Sequence, residues 1–185
     1  MKYLSILLLI LVSGIAYALP AKIENSSLIN ENNRLQADAL GNSQINAGVD
    51  VGGSDLKESD IKNISSEVNV KSDRNSSVST GVSIENSSLE RSRIDNRNEK
   101  VDIYAKNNSE INTGTSIKNS DAENLSVSNY NKNITATAVN SSQINTGVKV
   151  NAASIKNSGM KNINKGIQIE SKDNSKANAG INIDN

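Results

Sequence analysis

Five asparagines recur along this chain with one constant period, and their side-chain amides are the groups whose type and spacing could do chemistry. They are Asn30, Asn63, Asn96, Asn129 and Asn162, which defines a 33-residue unit. An amide carries both donors and an acceptor, so stacked copies could form a ladder in which each amide donates to one neighbour and accepts from the other. Asparagine also favours left-handed turn positions, and the sequence leaves both roles open.

A column of glycines keeps the same period. These residues are Gly48, Gly81, Gly114, Gly147 and Gly180. A serine lies five residues before each glycine and an aliphatic residue lies three residues after it. We expect the glycine to serve a turn or bulge before a strand. Because the asparagine and glycine columns both recur every 33 residues at a constant offset from each other, this is a tandem-repeat protein.

Residues for catalysis or metal binding do not converge in the sequence. The chain has no Cys and no His, which excludes thiol catalysis, disulfides and His-based metal sites. Acids such as Asp102 and Glu110 occupy variable positions, and a glycosidase-type carboxylate pair is the one enzymatic alternative. The run from Gly52 to Asp55 is a single faint match to a calcium-binding turn. We therefore expect no enzyme activity, no metal and no cofactor.

The elements that would position these columns are short strands. Counted from Asn42, aliphatic residues fall at unit positions 4, 8, 10, 15, 20, 27 and 29. In the first complete copy they are Ile45, Val49, Val51, Leu56, Ile61, Val68 and Val70. The pairs at positions 8/10 and 27/29 each enclose one polar residue, which is strand alternation, and no helical period is sustained.

This pattern predicts an all-β fold, a parallel β-solenoid (β-helix-like) built from five 33-residue units. The unit is itself partly doubled, since the Asn-Ser start and the paired aliphatic residues occur twice within it, as at Ser142 and Ser158. One large coil per unit and two smaller rungs per unit both fit. In either case the strands would stack at about 4.8 Å along an axis.

The N-terminal segment 1–18 has the pattern of a secretory signal peptide. Lys2 is followed by an apolar run from Leu4 to Val12 and by the cleavage pattern Ala16-Tyr17-Ala18. The apolar run is too short to span a bilayer, with an uncleaved anchor as the alternative. We expect cleavage after Ala18, a solenoid domain over residues 19–185, no stable membrane span after cleavage, and a secreted, extracellular or cell-surface location reached through the periplasm.

The composition is close to that of disordered segments, with 2% aromatic residues and many Asn, Ser and Lys, but the strict period argues for order. The 20 basic residues balance the 20 acidic ones, and the few tyrosines form no stacking platform. Neither feature is typical of a nucleic-acid-binding protein, so we expect no nucleic-acid partner.

The repeat units are permuted relative to the chain. Residues 21–185 begin at unit position 13 and stop at position 12, so the incomplete first and last copies are complementary. No helix or dense charge that would cap a solenoid is evident at either side. We expect head-to-tail polymerisation. The alternative is that tandem duplication gives whole numbers of repeats and that a loop blunts the edges.

The repeat starts, such as Asn86-Ser87-Ser88-Leu89, and the stretch from Gly147 to Ala153 resemble repeats of secreted bacterial functional amyloids, the curlin and Fap-type fibre subunits. Regularly spaced curlin glutamines are missing, with Gln44 and Gln143 as the nearest equivalents, and the period is longer. The resemblance implies export across the outer membrane, nucleated assembly and a role in biofilm matrix or adhesion.

The sequence thus predicts a fibre or matrix subunit that partners with its own copies and with other surface or matrix components. The alternative is a monomeric adhesin-like module whose outward polar columns bind a glycan or another protein.

Overall fold

The protein is a parallel β-solenoid. The computed structural model describes residues 16–18, 22–151 and 154–184, which form 22 strands and no helix. The predicted all-β solenoid class is therefore confirmed. The apolar run of the predicted leader lies outside the described residues.

Each turn of the chain contributes strands in the same order. The first turn contains β1 (Ala16–Ala18), β2 (Lys22–Glu24), β3 (Ser27–Asn33), β4 (Gln36–Leu40) and β5 (Gln44–Asn46). The second contains β6 (Val49–Gly52), β7 (Asp55–Lys57), β8 (Asp60–Asp73) and β9 (Ser77–Ser79). The third contains β10 (Val82–Glu85), β11 (Ser88–Glu90), β12 (Arg93–Lys106) and β13 (Glu110–Asn112).

The later turns repeat this order. The fourth contains β14 (Thr115–Lys118), β15 (Asp121–Glu123), β16 (Ser126–Val139) and β17 (Gln143–Asn145). The fifth contains β18 (Val148–Asn151), β19 (Ser154–Lys156), β20 (Gly159–Ser171) and β21 (Lys176–Asn178). The last described strand is β22 (Ile181–Asp184).

Four parallel sheets collect equivalent strands from successive turns. Sheet A has the order β1-β6-β10-β14-β18-β22, and sheet B has the order β2-β7-β11-β15-β19. Sheet C contains β3 and β4, then β8, β12, β16 and β20, and sheet D has the order β5-β9-β13-β17-β21. Residues one 33-residue unit apart pair with each other, as Val49 does with Val82 and Asn63 with Asn96. One large coil per unit is therefore the correct alternative.

The interior of each turn is divided into two apolar cores. The first core lies between sheets A and B and the first half of sheet C; in the third turn it contains Val82, Ile84, Leu89 and Ile94. The second lies between the other half of sheet C and sheet D; in the third turn it contains Val101, Ile103, Ala105 and Ile111. All seven predicted aliphatic columns line or pack against these cores. The doubling within the sequence unit thus reflects two lobes of one coil.

The chain changes direction at residues with a left-handed backbone, such as Asn119 (φ 46°) and Asn124 (φ 55°). Serines often follow these corners and link one turn to the next. The Ser120 hydroxyl donates to the Lys118 carbonyl (2.7 Å) and accepts from the Ser87 amide of the preceding turn (3.2 Å). Asparagine tolerates the left-handed region, which explains its frequency at these corners.

Asp50 lies in β6, where its surroundings disfavour its charge. Partial burial raises its pKa, and the nearby Glu85 carboxylate raises it further. Because the folded-state pKa is raised, the charged carboxylate costs stability above this pKa, and that cost disappears below the ordinary value of 3.8. We expect Asp50→Asn to raise the melting temperature at pH 7 and to leave it nearly unchanged at pH 3.

Thermal unfolding of both proteins at the two pH values checks this expectation. Asp102→Asn, at an exposed position of sheet C, is the matched control for removal of a carboxylate. A lower melting temperature for Asp50→Asn at pH 7 would show that the Asp50 charge is stabilising.

Candidate functional site

The five periodic asparagines form a buried ladder through the solenoid. Each amide nitrogen donates to the amide oxygen of the next turn: Asn30 to Asn63 at 2.8 Å, Asn63 to Asn96 at 2.8 Å, Asn96 to Asn129 at 2.7 Å, and Asn129 to Asn162 at 2.7 Å. Asn63, Asn96 and Asn129 are fully buried. None of the five has a left-handed backbone, so the ladder is the correct alternative.

Each ladder amide also donates a hydrogen bond to a backbone carbonyl on the opposite side of the same coil. The Asn96 nitrogen donates to the Thr113 carbonyl at 3.0 Å, and the Asn63 nitrogen donates to the Thr80 carbonyl at 2.9 Å. These carbonyls belong to the residue just before the periodic glycine. Both hydrogens of the amide are thereby used, which satisfies a polar group that would be costly to bury unpaired. The amides hold the walls together between the two apolar cores.

A second polar column accompanies the first, two residues further along sheet C. Asn98 donates to the Thr113 carbonyl at 2.7 Å and to the Asn131 oxygen at 3.0 Å, and Asn131 donates to Asn164 at 2.9 Å. The second turn has Ser65 at this position, whose hydroxyl donates to the Thr80 carbonyl at 3.3 Å. The sequence period does not mark this column, because it is not uniformly asparagine. Its spacing of two residues from the first column was the available signal, since such residues share a strand face.

The glycine column is required by close contact between turns. A Cβ placed on Gly114 would lie 2.0 Å from the Gly147 carbonyl oxygen, and one on Gly48 would lie 2.0 Å from that of Gly81. None of the five periodic glycines has a positive φ. The glycines do precede the strands of sheet A as predicted. Their physical reason is the backbone approach, and no left-handed turn is involved.

The C-terminal end of the described solenoid presents core-type residues at its surface. Within the described part of the chain, β22 pairs only with β18. Ile181 and Ile183 are 45% and 53% exposed, although Val148 and Val150, the residues below them in the same columns, are 0% exposed. A Cβ on Gly180 would meet only the Asn178 side-chain oxygen, at 3.9 Å. This face therefore retains the residue types of an interior turn without an interior turn's contacts.

Oppositely charged side chains pair along the outer columns. Glu67 lies between Arg34 (3.1 Å) and Lys100 (3.3 Å) of the adjacent turns, and these two cations lower its pKa. Glu99 and Lys132 form a similar pair at 2.7 Å. Exposed ion pairs contribute little stability. These pairs link side chains of adjacent turns on the outer surface.

A shallow groove of about 450 Å³ lies on the outer face of sheet C. Its floor is a column of outward residues between the two asparagine columns, namely Ile64, Arg97, Tyr130 and Ile163. Arg97 is paired with Asp95 at 2.8 Å, and the Lys165 ammonium lies 6.0 Å from the centre of the Tyr130 ring. The groove combines apolar, aromatic and charged groups, as a ligand-binding surface does.

Among the described residues, no cluster of acidic side chains could hold a metal ion, and no helix is long and apolar enough to cross a membrane. No protein-family model and no curated protein matches this sequence. The stacking faces of the turns and the outer groove are the candidate functional features among the described residues.

Proposed function

We propose that this protein is a secreted structural protein whose copies stack end to end into a fibre of the extracellular matrix or cell surface. The observation that carries the proposal is the constant 33-residue register of all four sheets. A constant register makes the two faces of a turn complementary to each other. The exposed face of one copy would accept the opposite face of a second copy as it accepts an internal turn.

The side chains at the two faces fit such a contact. In the continued register, Ile181 and Ile183 would lie over Val49 and Val51 of a second copy, which would remove their exposed apolar surface from water. Asn162 would lie over Asn30 of that copy, so the amide ladder would continue across the contact. Gly180 would lie over Gly48, which permits the same backbone approach as within the chain.

Secretion is proposed from the leader pattern of residues 1–18. A role in biofilm matrix or adhesion is proposed from the resemblance to curlin and Fap-type subunits. No catalytic role is proposed, because the described acids lie on outward columns and no His or Cys is present in the chain.

Assembly of the purified chain from Leu19 to Asn185 tests the proposal. We expect unbranched fibres by negative-stain microscopy after incubation at high concentration, elongation from added seeds, and a reflection near about 4.8 Å along the fibre axis. A β-rich species that stays monomeric at all concentrations, with or without seeds, would contradict it.

The outer groove supports the second candidate function, a monomeric adhesin-like module. Tyr130 and the adjacent Ile163 offer an apolar face for a sugar ring or a peptide, with Ile64 on the far side of Arg97. Arg97 and Glu99 offer polar contacts. In a monomeric outcome, a glycan array probed with the wild-type chain and with Tyr130→Ala is the decisive measurement.

A further inference from the structure

The first strand of sheet A belongs to the segment that the sequence predicts to be cleaved. β1 pairs with β6 in parallel, with Ala16 opposite Val49 and Ala18 opposite Val51. Cleavage after Ala18 would remove β1. The edge of β6 that faces β1 would then lose its hydrogen-bonded neighbour in sheet A.

The last described strand of sheet A is the equivalent of β1 five turns later. Ala16 and Ile181 occupy the same position of the 33-residue unit. β22 pairs with β18 through Val148 opposite Ile181 and Val150 opposite Ile183, which is the register that β1 and β6 use. β22 of a second copy would therefore fit the edge of β6 in the same register as β1.

We propose that β1 is a removable cap, which occupies on β6 the position that β22 of a second copy takes once the leader has been cleaved. This inference rests on the proposed end-to-end assembly. It adds that cleavage of the leader regulates when assembly can begin. Two strands cannot pair with one edge, so a chain that retains β1 cannot accept β22 of a second copy on β6. The cap would keep the precursor from stacking before it has been processed.

β22 of a second copy would bring apolar residues to the edge of β6 that cleavage leaves unpaired. β22 brings isoleucines to the register positions opposite Val49 and Val51, where β1 brings alanines. The contact would extend over the other sheets, since β19, β20 and β21 would follow β2, β3, β4 and β5 in register. Lys156 of the second copy would lie in register with Glu24, which places opposite charges together.

The test compares two forms of the chain that differ only in residues 14–18. The mature form begins at Leu19, and the capped form begins at Gly14 and so retains β1 without the apolar run. We expect mature seeds to elongate with the mature form at least about tenfold faster than with the capped form, because an edge that is already paired cannot template another strand. The capped form should also shorten fibres when added as a minor component. It can join a fibre through β22, and its β1 then occupies the position on β6 that β22 of the next copy would take.

Amide hydrogen exchange detects the pairing of β1 with β6 in the absence of assembly. In dilute monomer, the amide protons of β6 that face β1 should exchange at least about tenfold more slowly in the capped form than in the mature form, as expected for hydrogen-bonded amides. The amides of β14, which pair with β10 and β18 in both forms, are the internal control.

The outcomes separate the two proposals. If both forms elongate equally, with equal exchange in β6, the cap is overturned and the proposed fibre function stands. If neither form assembles, the fibre function is overturned, and the cap falls with it because no second copy competes for β6. Elongation by the mature form alone supports both.

Discussion

Replacement of Gly114 by alanine is expected to destabilise the solenoid by about 3 kcal/mol or more, because the backbone cannot yield easily to an added methyl group. The new Cβ would lie 2.0 Å from the Gly147 carbonyl oxygen. Relief of this overlap would separate two turns at a point where the Thr115 amide donates to the Gly147 carbonyl at 2.9 Å. Urea unfolding followed by circular dichroism measures the loss.

Gly180 supplies the matched control for this change. It occupies the same unit position, but its added Cβ would meet only the Asn178 oxygen at 3.9 Å. We expect Gly180→Ala to leave the monomer as stable as the wild type and to abolish elongation of fibres, because the methyl group would lie against Gly48 of the next copy. If Gly114→Ala is as stable as the wild type, the backbones of adjacent turns do not approach each other as closely at Gly114 as described. Wild-type elongation for Gly180→Ala would show that copies do not stack in the continued register.

Replacement of Asn96 by leucine is expected to cost about 3–4 kcal/mol, because leucine fills a similar volume but makes none of the hydrogen bonds. Asn96 donates to Asn129 and to the Thr113 carbonyl, and it accepts from Asn63. The change removes all three bonds and leaves buried amide groups of Asn63 and Asn129 short of a partner. Equilibrium unfolding in urea measures the difference.

Asn69→Leu is the control, because Asn69 lies in β8 of the same sheet but is exposed. It should change stability by less than about 0.5 kcal/mol, as surface substitutions usually do.

The variant Asn96→Asp tests the same role through its pH dependence. A buried carboxylate lacks both donors at pH 7, whereas its protonated form regains one, so the stability of this variant should improve as the pH falls. A stability of Asn96→Leu equal to that of the wild type would contradict a structural role for the ladder.

The sequence predicted the parts of this fold that follow from periodicity. The aliphatic columns indicated the strands, because alternation of Val49 and Val51 around a polar residue reports one buried face. The 33-residue spacing predicted stacked copies, and the asparagine column predicted a ladder, since identical amides in register satisfy one another.

Other features depend on contacts between positions far apart in the unit. The division into two cores arises because Asn63 reaches the Thr80 carbonyl across the coil, at a sequence separation of 17. The reason for Gly48 is the carbonyl of Gly81, which belongs to the next turn. The role of Asn98 was hidden because Ser65 performs part of it in the preceding turn. A pattern along the chain shows which residues recur, but it does not show which sides of the coil or which turns they connect.

The bonds that join successive turns have a mechanical consequence. Hydrogen bonds of four sheets and of the amide ladder all connect one turn to the next, so a pull along the axis loads them together. One turn advances the axis by about 4.8 Å, yet its chain reaches about 110 Å when fully extended. Each turn that peels away under tension therefore releases a length of chain roughly twenty times its contribution to the axis. The solenoid is stiff while its turns hold and lengthens by whole turns when they yield.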